Sequence, residues 1–199
     1  MWYTKNMENE LEGYYLKRKV DFNGDKKAVT LVNLLCMFLM LTLAFVVYIC
    51  FLHGLDKHQL AQLIYYPNFI IIVLGLIWLP VVHELIHSLA FRCFGVKTKR
   101  VDKFSGLFAY SGALSALYKN RYILVALAPT VILSLIFGVL LAFLPLKWIF
   151  GVAILECTVI GQSAGDFYII KEIIAEPKTS KILDEGLNIA IYRKKESTK

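Results

Sequence analysis

Long apolar stretches constrain the fold of this chain more than any other feature. About 20 consecutive apolar residues let a helix cross a bilayer, and four stretches of roughly this length occur, at 29–52, 69–91, 122–144 and 148–170. With 58% hydrophobic and only 19% charged residues, little chain is left for a separate soluble domain. The sequence therefore predicts a single all-α integral membrane domain over residues 1–199, with about four transmembrane helices.

The basic residues are distributed unevenly around these stretches, and the asymmetry predicts the topology. Of the 22 lysines and arginines, 20 lie before the first stretch, between the second and third, or after the fourth. By the positive-inside rule these segments are cytoplasmic, including the N-terminal segment 1–28 and the tail 171–199. The net charge of +7 fits flanks that face anionic lipid headgroups. No nucleic-acid partner is expected, because no basic run is interleaved with aromatic residues.

The second stretch contains the pattern His83-Glu84-Leu85-Ile86-His87. Two histidines four residues apart lie one turn apart on one face of a helix, which lets both imidazoles bind one zinc ion. Glu84 would be the base that takes a proton from zinc-bound water, whose pKa the metal lowers to about 7. Ionisable residues are costly inside a bilayer and are functional candidates there, although a five-residue motif also arises by chance among structural histidines.

A catalytic zinc site needs a third protein ligand at the depth of the two histidines. Asp166 lies five residues before the cytoplasmic marker Lys171, and His87 lies five residues before the marker Arg92. Five helical residues span about 7.5 Å in both cases, so Asp166 is the predicted third ligand. Glu156 is the alternative, but it lies about 15 Å nearer the outer side and fits better as a bundle-facing carboxylate.

Two features near Asp166 would support such a site. Gln162 precedes it by four residues, where its amide would hydrogen-bond a ligand or a developing oxyanion, or act as ordinary interhelical glue. Gly161 and Gly165 form a G-x-x-x-G pattern, which lets membrane helices approach closely. We expect this pattern to bring the fourth stretch against the second.

Strand-like runs occur outside the apolar stretches. Phe108–Tyr110 and Leu114–Tyr118 predict a short interfacial hairpin beside the site, or an interfacial loop in its place. Such a hairpin would hold an unwound substrate by strand addition. Tyr14–Phe22, followed by the turn signal Asn23-Gly24, and Leu187–Tyr192 would pair into a small cytoplasmic sheet.

A membrane H-E-x-x-H helix followed by an intramembrane aspartate is similar in chemistry to the site-2 proteases. Among proteins with this chemistry, the chain most resembles the bacterial putative zincin peptidases. The resemblance lies in the HELIH helix, the run Ala126–Pro129 and the pair Gly165-Asp166. The chain departs from typical site-2 proteases around Asp166, because their Leu-Asp-Gly sequence is absent there and Phe167 follows the aspartate. The resemblance implies a single zinc ion held by His83, His87 and Asp166, with Glu84 catalytic.

These observations predict a zinc metalloprotease of the cell membrane that hydrolyses membrane-anchored or hydrophobic peptides near the cytoplasmic face, among membrane lipids. A non-catalytic zinc-binding scaffold or partner subunit is one alternative. Glu84 argues against it, since a structural zinc site has four protein ligands and needs no base. A metal or proton transporter would need further polar groups, and the third stretch has no acidic or basic residue. Imidazole and carboxylate ligands also accept other divalent metals.

Overall fold

The computed structural model describes residues 11–21, 26–54, 56, 58, 67–101, 110–186 and 188–195. In these ranges the helices are α1 (Lys26–Gly54), α2 (Pro67–Cys93), α3 (Lys119–Phe143), α4 (Leu146–Gln162) and α5 (Ala164–Ile174). The strands are β1 (Tyr14–Asp21), β2 (Thr98–Val101), β3 (Tyr110–Ala113), β4 (Leu117–Tyr118), β5 (Lys181–Asp184) and β6 (Asn188–Lys194).

Within the described residues, three segments are long and apolar enough to cross a membrane: α2, α3 and the run Leu146–Ile174, which contains α4 and α5. They occupy the second, third and fourth apolar stretches. Large apolar side chains on them are exposed, with Trp78 at 60% and Leu135 at 65%, as expected for helices that face lipid. The 29-residue helix α1 occupies the first stretch, and its crossing of the membrane stays a prediction.

The fourth stretch is interrupted between α4 and α5. Ser163 lies at the break, and its hydroxyl donates to the Val159 carbonyl at 2.8 Å while accepting from Thr130 Oγ1 at 2.7 Å. A serine that bonds the carbonyl four residues back tends to bend a helix. Gln162 therefore ends one helix and Asp166 lies in the first turn of the next.

Strands from both ends of the chain pair in one antiparallel sheet, of order β1-β6-β5-β4. The predicted pairing of the terminal segments is confirmed, with Tyr14 opposite Lys194 and Asp21 opposite Asn188. The predicted turn Asn23-Gly24 lies outside the described residues. The all-α class is corrected to a mostly helical fold with a small sheet, because strand pairing between distant segments satisfies their backbone groups.

The predicted hairpin between Phe108–Tyr110 and Leu114–Tyr118 is wrong in its described part. β3 pairs with β2 instead, with Thr98 opposite Ala113, while β4 pairs with β5. Leu117 of β4 lies opposite Ile182, and both are at most 4% exposed, so this pairing buries apolar side chains. Residues 102–109 lie outside the described part.

The chain groups into two compact units. The first comprises Met1–Thr30, Glu84–Ala128 and Asp166–Lys199. Its core combines helix and strand residues that are nearly inaccessible to solvent, among them Phe91, Tyr122, Val125, Ile173, Ile182 and Ile191. This unit therefore packs the described strands of the terminal sheet against parts of α2, α3 and α5. The prediction of a single membrane domain stays a prediction.

The second unit comprises Leu31–His83 and Pro129–Gly165. In it α2 approaches α4 at Gly75, where a Cβ atom would overlap the side chain of Leu155. A Cβ atom on Gly161 would lie 2.9 Å from Sδ of Met40 on α1. The atoms nearest to this Cβ position are on α1, whereas α4 approaches α2 at Gly75.

Candidate metal centre

His83, Glu84 and His87 come together on one turn of α2. Their potential ligand atoms all lie within 4.8 Å of one another. His83 is 6% exposed and His87 is 9% exposed, while Glu84 is half-buried. Because residues four apart share a helix face, the continuous helix is sufficient to bring both imidazoles together. The three side chains lie together, and each offers a donor that a divalent metal accepts, while their predicted roles as ligands and base stay predictions.

The orientation of His87 is set by a neighbouring carbonyl. Its Nδ1 atom lies 3.1 Å from the backbone oxygen of Val125 on α3. A carbonyl oxygen only accepts hydrogen bonds, so Nδ1 carries the proton in this contact. In a neutral imidazole this leaves the lone pair on Nε2. Metal-binding histidines are commonly oriented in this way, with the second ring nitrogen donating to a carbonyl.

Asp166 lies in the first turn of α5, and its Oδ1 atom is 3.3 Å from Nε2 of His87. Two ligand atoms that are each about 2.0–2.1 Å from a tetrahedral zinc ion are separated by about 3.3–3.4 Å. The observed distance therefore fits a pair of atoms that share one metal. The structure brings Asp166 to His87 as the sequence predicts, and its role as the third ligand stays a prediction.

Gln162 and Glu156 both lie on α4, outside the ligand group found among the described residues. The Gln162 amide nitrogen is buried, and it has no hydrogen-bond partner within the described part of the chain. One carboxylate oxygen of Glu156 is likewise buried and has no hydrogen-bond partner among the described residues. The predicted hydrogen bond of Gln162 to a ligand or a developing oxyanion stays a prediction, and so does the alternative ligand role of Glu156.

Sequence reasoning missed Tyr122 and Asp184. The Tyr122 hydroxyl donates to Oδ2 of Asp184 at 2.8 Å, and Tyr122 is 3% exposed. Burial raises the pKa of the Asp184 carboxyl to about 7, although the hydrogen bonds from Gly186 and Tyr122 lower it. The charge of Glu84 contributes to this rise, so Asp184 interacts electrostatically with the candidate site. Tyr122 reads as part of an apolar stretch, and Asp184 needs a strand pairing to reach it, so neither gave a local signal.

An H-E-x-x-H group on an apolar helix, with a carboxylate close to the second histidine, is the arrangement of a zincin-type metallopeptidase. A family comparison agrees with this class. The chain belongs to the putative zincin peptidase family, whose model matches residues 76–181, more than half of its length. The matched range includes the H-E-x-x-H group and Asp166. No curated protein and no solved structure matches the chain significantly.

Proposed function

We propose that the protein is a zinc-dependent peptidase that cleaves membrane-anchored or hydrophobic peptides, within the membrane or beside its cytoplasmic face. The observation that carries the proposal is the H-E-x-x-H group on α2, a helix long and apolar enough to cross a membrane. Hydrolytic groups on such a helix would be reached by substrates that are themselves hydrophobic or anchored in the membrane. Membership of the putative zincin peptidase family supports the same reaction.

His83 and His87 would hold the zinc ion, with Asp166 as the third ligand. Two imidazoles and one carboxylate are a known donor set of catalytic zinc sites, and three protein ligands leave one tetrahedral position open. The 3.3 Å separation of the His87 and Asp166 atoms fits this role. Zinc, when bound, supplies a Lewis acid that polarises the scissile carbonyl and makes water more acidic.

Glu84 would move the protons. Its carboxylate lies within 4.8 Å of the ligand atoms of both histidines, so it borders the position where water and substrate would meet. One carboxylate oxygen takes a proton from the attacking water as the new carbon–oxygen bond forms. The same group then returns the proton to the amide nitrogen as the carbon–nitrogen bond breaks. The two steps leave Glu84 as it began.

The cytoplasmic location rests on charge and on depth along the helices. Arg92 lies in the last turn of α2 and Lys171 in the last turn of α5, each five residues after a proposed ligand. Lysine and arginine concentrate on cytoplasmic flanks, so this end of the helices would face the cytoplasm. A helical substrate has its amides bonded internally, so it would have to unwind before attack.

The test uses the full chain in detergent, with zinc counted per chain and cleavage followed on membrane-anchored peptides. We expect about one zinc ion per chain in the wild type. His83→Ala and Asp166→Ala should lose both zinc and cleavage. Glu84→Gln should keep its zinc while cleavage falls by about 10²–10⁴-fold, since only the proton transfer is removed.

Glu156→Gln provides a comparison, because it changes the alternative carboxylate on α4 and should leave zinc content unaltered. A wild-type protein that binds no zinc would refute the proposal. Zinc that stays bound in Asp166→Ala would refute the third ligand alone. Zinc bound without any cleavage of the membrane-anchored peptides, and with Glu84→Gln indistinguishable from wild type, would instead support the non-catalytic scaffold.

A further inference from the structure

Asp184 ends β5 and lies beyond the part of the chain that matches the family, which ends at residue 181. Both oxygens of its carboxylate accept hydrogen bonds. Oδ2 accepts the Tyr122 hydroxyl at 2.8 Å, and Oδ1 accepts the backbone N–H of Gly186 at 2.8 Å. Gly186 has φ +89°, which glycine adopts readily, so the chain after β5 can turn back onto the carboxylate. The position of Asp184 is therefore well defined.

Tyr122 connects this carboxylate to α2. It lies near the start of α3, and its ring centroid is 6.3 Å from that of Phe91, which follows His87 by one turn on α2. Three residues after Tyr122, the Val125 carbonyl lies 3.1 Å from His87 Nδ1. Phe91, Tyr122 and Val125 are all at most 3% exposed. The same part of α3 thus contacts α2 at Phe91 and at His87, in a closely packed environment.

Electrostatic interactions place Asp184 beside the candidate site as well. Burial is the largest influence on its pKa and raises it, and the nearby charge of Glu84 acts in the same direction. The hydrogen bonds from Gly186 and Tyr122 and the charge of His87 oppose this rise. Two members of the H-E-x-x-H group are therefore close enough for their charges to affect Asp184. It does not belong to the ligand group found among the described residues.

We propose that Asp184 is a positioning residue for the metal site, acting through Tyr122 to keep the Val125 carbonyl against His87 Nδ1. This inference deepens the proposed function and rests on it. Loss of the groups that orient metal ligands commonly weakens metal binding by about 10–100-fold. Because Asp184 acts through an intervening helix turn, the lower end of that range, about tenfold, is expected.

The test measures the zinc dissociation constant by competition with a chromophoric chelator, on the full chain in detergent. Asp184→Asn and Tyr122→Phe should each raise the dissociation constant about tenfold. The double variant should raise it no further, because both changes break one connection. Tyr122→Phe removes only a hydroxyl and keeps the buried ring, so it tests the connection even where Asp184→Asn folds poorly.

Leu183→Ala is the matched control. Leu183 precedes Asp184 on β5, but it is buried with Ala116 and Ala190 in a separate cluster, and successive strand residues point to opposite faces. Loss of a buried leucine side chain should lower the melting temperature by more than Tyr122→Phe does, with zinc affinity unchanged. That pattern would separate positioning of the ligand from general stability of the sheet.

Three outcomes would overturn the inference. Unchanged zinc affinity in both polar variants, beside a wild type that binds zinc, would remove the positioning role and leave the proposed function standing. An equal loss of affinity in Leu183→Ala would show that the sheet matters only for stability. A wild type that binds no zinc would overturn the inference together with the proposed function.

Discussion

Replacing Asp184 with asparagine is expected to remove a pH-dependent penalty on the stability of the metal-free protein. Burial raises the pKa of this carboxyl to about 7 from an ordinary 3.8. Between these values the group is protonated when folded and ionised when unfolded, so stability falls as the pH rises through this window. A rise of the pKa from 3.8 to about 7 corresponds to ~4 kcal/mol. Asp184 is only half-buried, so screening by solvent reduces the expected loss to ~2 kcal/mol.

Thermal melting in detergent, with a chelator present and the pH varied from about 4 to 8, measures this effect. Asparagine is neutral at every pH, so its contribution to stability does not change with pH as that of the titrating carboxyl does. The melting temperature of the wild type should therefore fall, relative to that of Asp184→Asn, as the pH rises from about 4 to about 7. A difference in melting temperature that stays constant across this range would refute the assignment of a raised pKa.

Two further predictions concern packing and capping. Gly75→Ala should lower the stability of the protein by about 1–3 kcal/mol, because its methyl group overlaps the side chain of Leu155. Melting temperatures should show that this loss is smaller when Gly75→Ala is combined with Leu155→Ala. Its control, Gly138→Ala on α3, adds a methyl group into open space and should stabilise by about 0.5–1 kcal/mol; an equal loss in both would contradict the overlap. Lys119→Met should cost about 1.5–3 kcal/mol, since the ammonium donates to two carbonyls at and beyond the end of α5, at 3.0 and 2.6 Å. An unchanged melting temperature would show that these two bonds contribute nothing.

The helices and the histidine pair could be predicted because their signals are local. An apolar stretch of sufficient length satisfies its own backbone hydrogen bonds only as a helix in lipid, so hydropathy alone locates α2 and α3. The spacing of His83 and His87 then determines their separation once the helix is known. The sequence also predicts that Asp166 shares the depth of His87, since helix rise converts residue counts from the basic flanks into depth.

The sheet and the interruption at Ser163 could not be predicted in the same way. β4 has two described residues, and it pairs with a strand more than 60 positions later. So short a run contains no signal that identifies its partner strand. The bend at Ser163 depends on which of several polar groups its hydroxyl meets. Its partners, Val159 and Thr130, become visible only when the helices are packed.

The geometry of His87 depends on both local sequence signals and long-range packing. Helix geometry alone places its ring beside His83, but a ring with two nitrogens needs a further partner to determine which one faces a metal. That partner is the Val125 carbonyl, and Val125 belongs to the same buried cluster as residues of α5 and the terminal strands. A short motif therefore specifies the donors, whereas their tautomer depends on segments far along the chain. This dependence is why loss of the Asp184 carboxylate, which lies outside the H-E-x-x-H motif, is expected to alter zinc affinity.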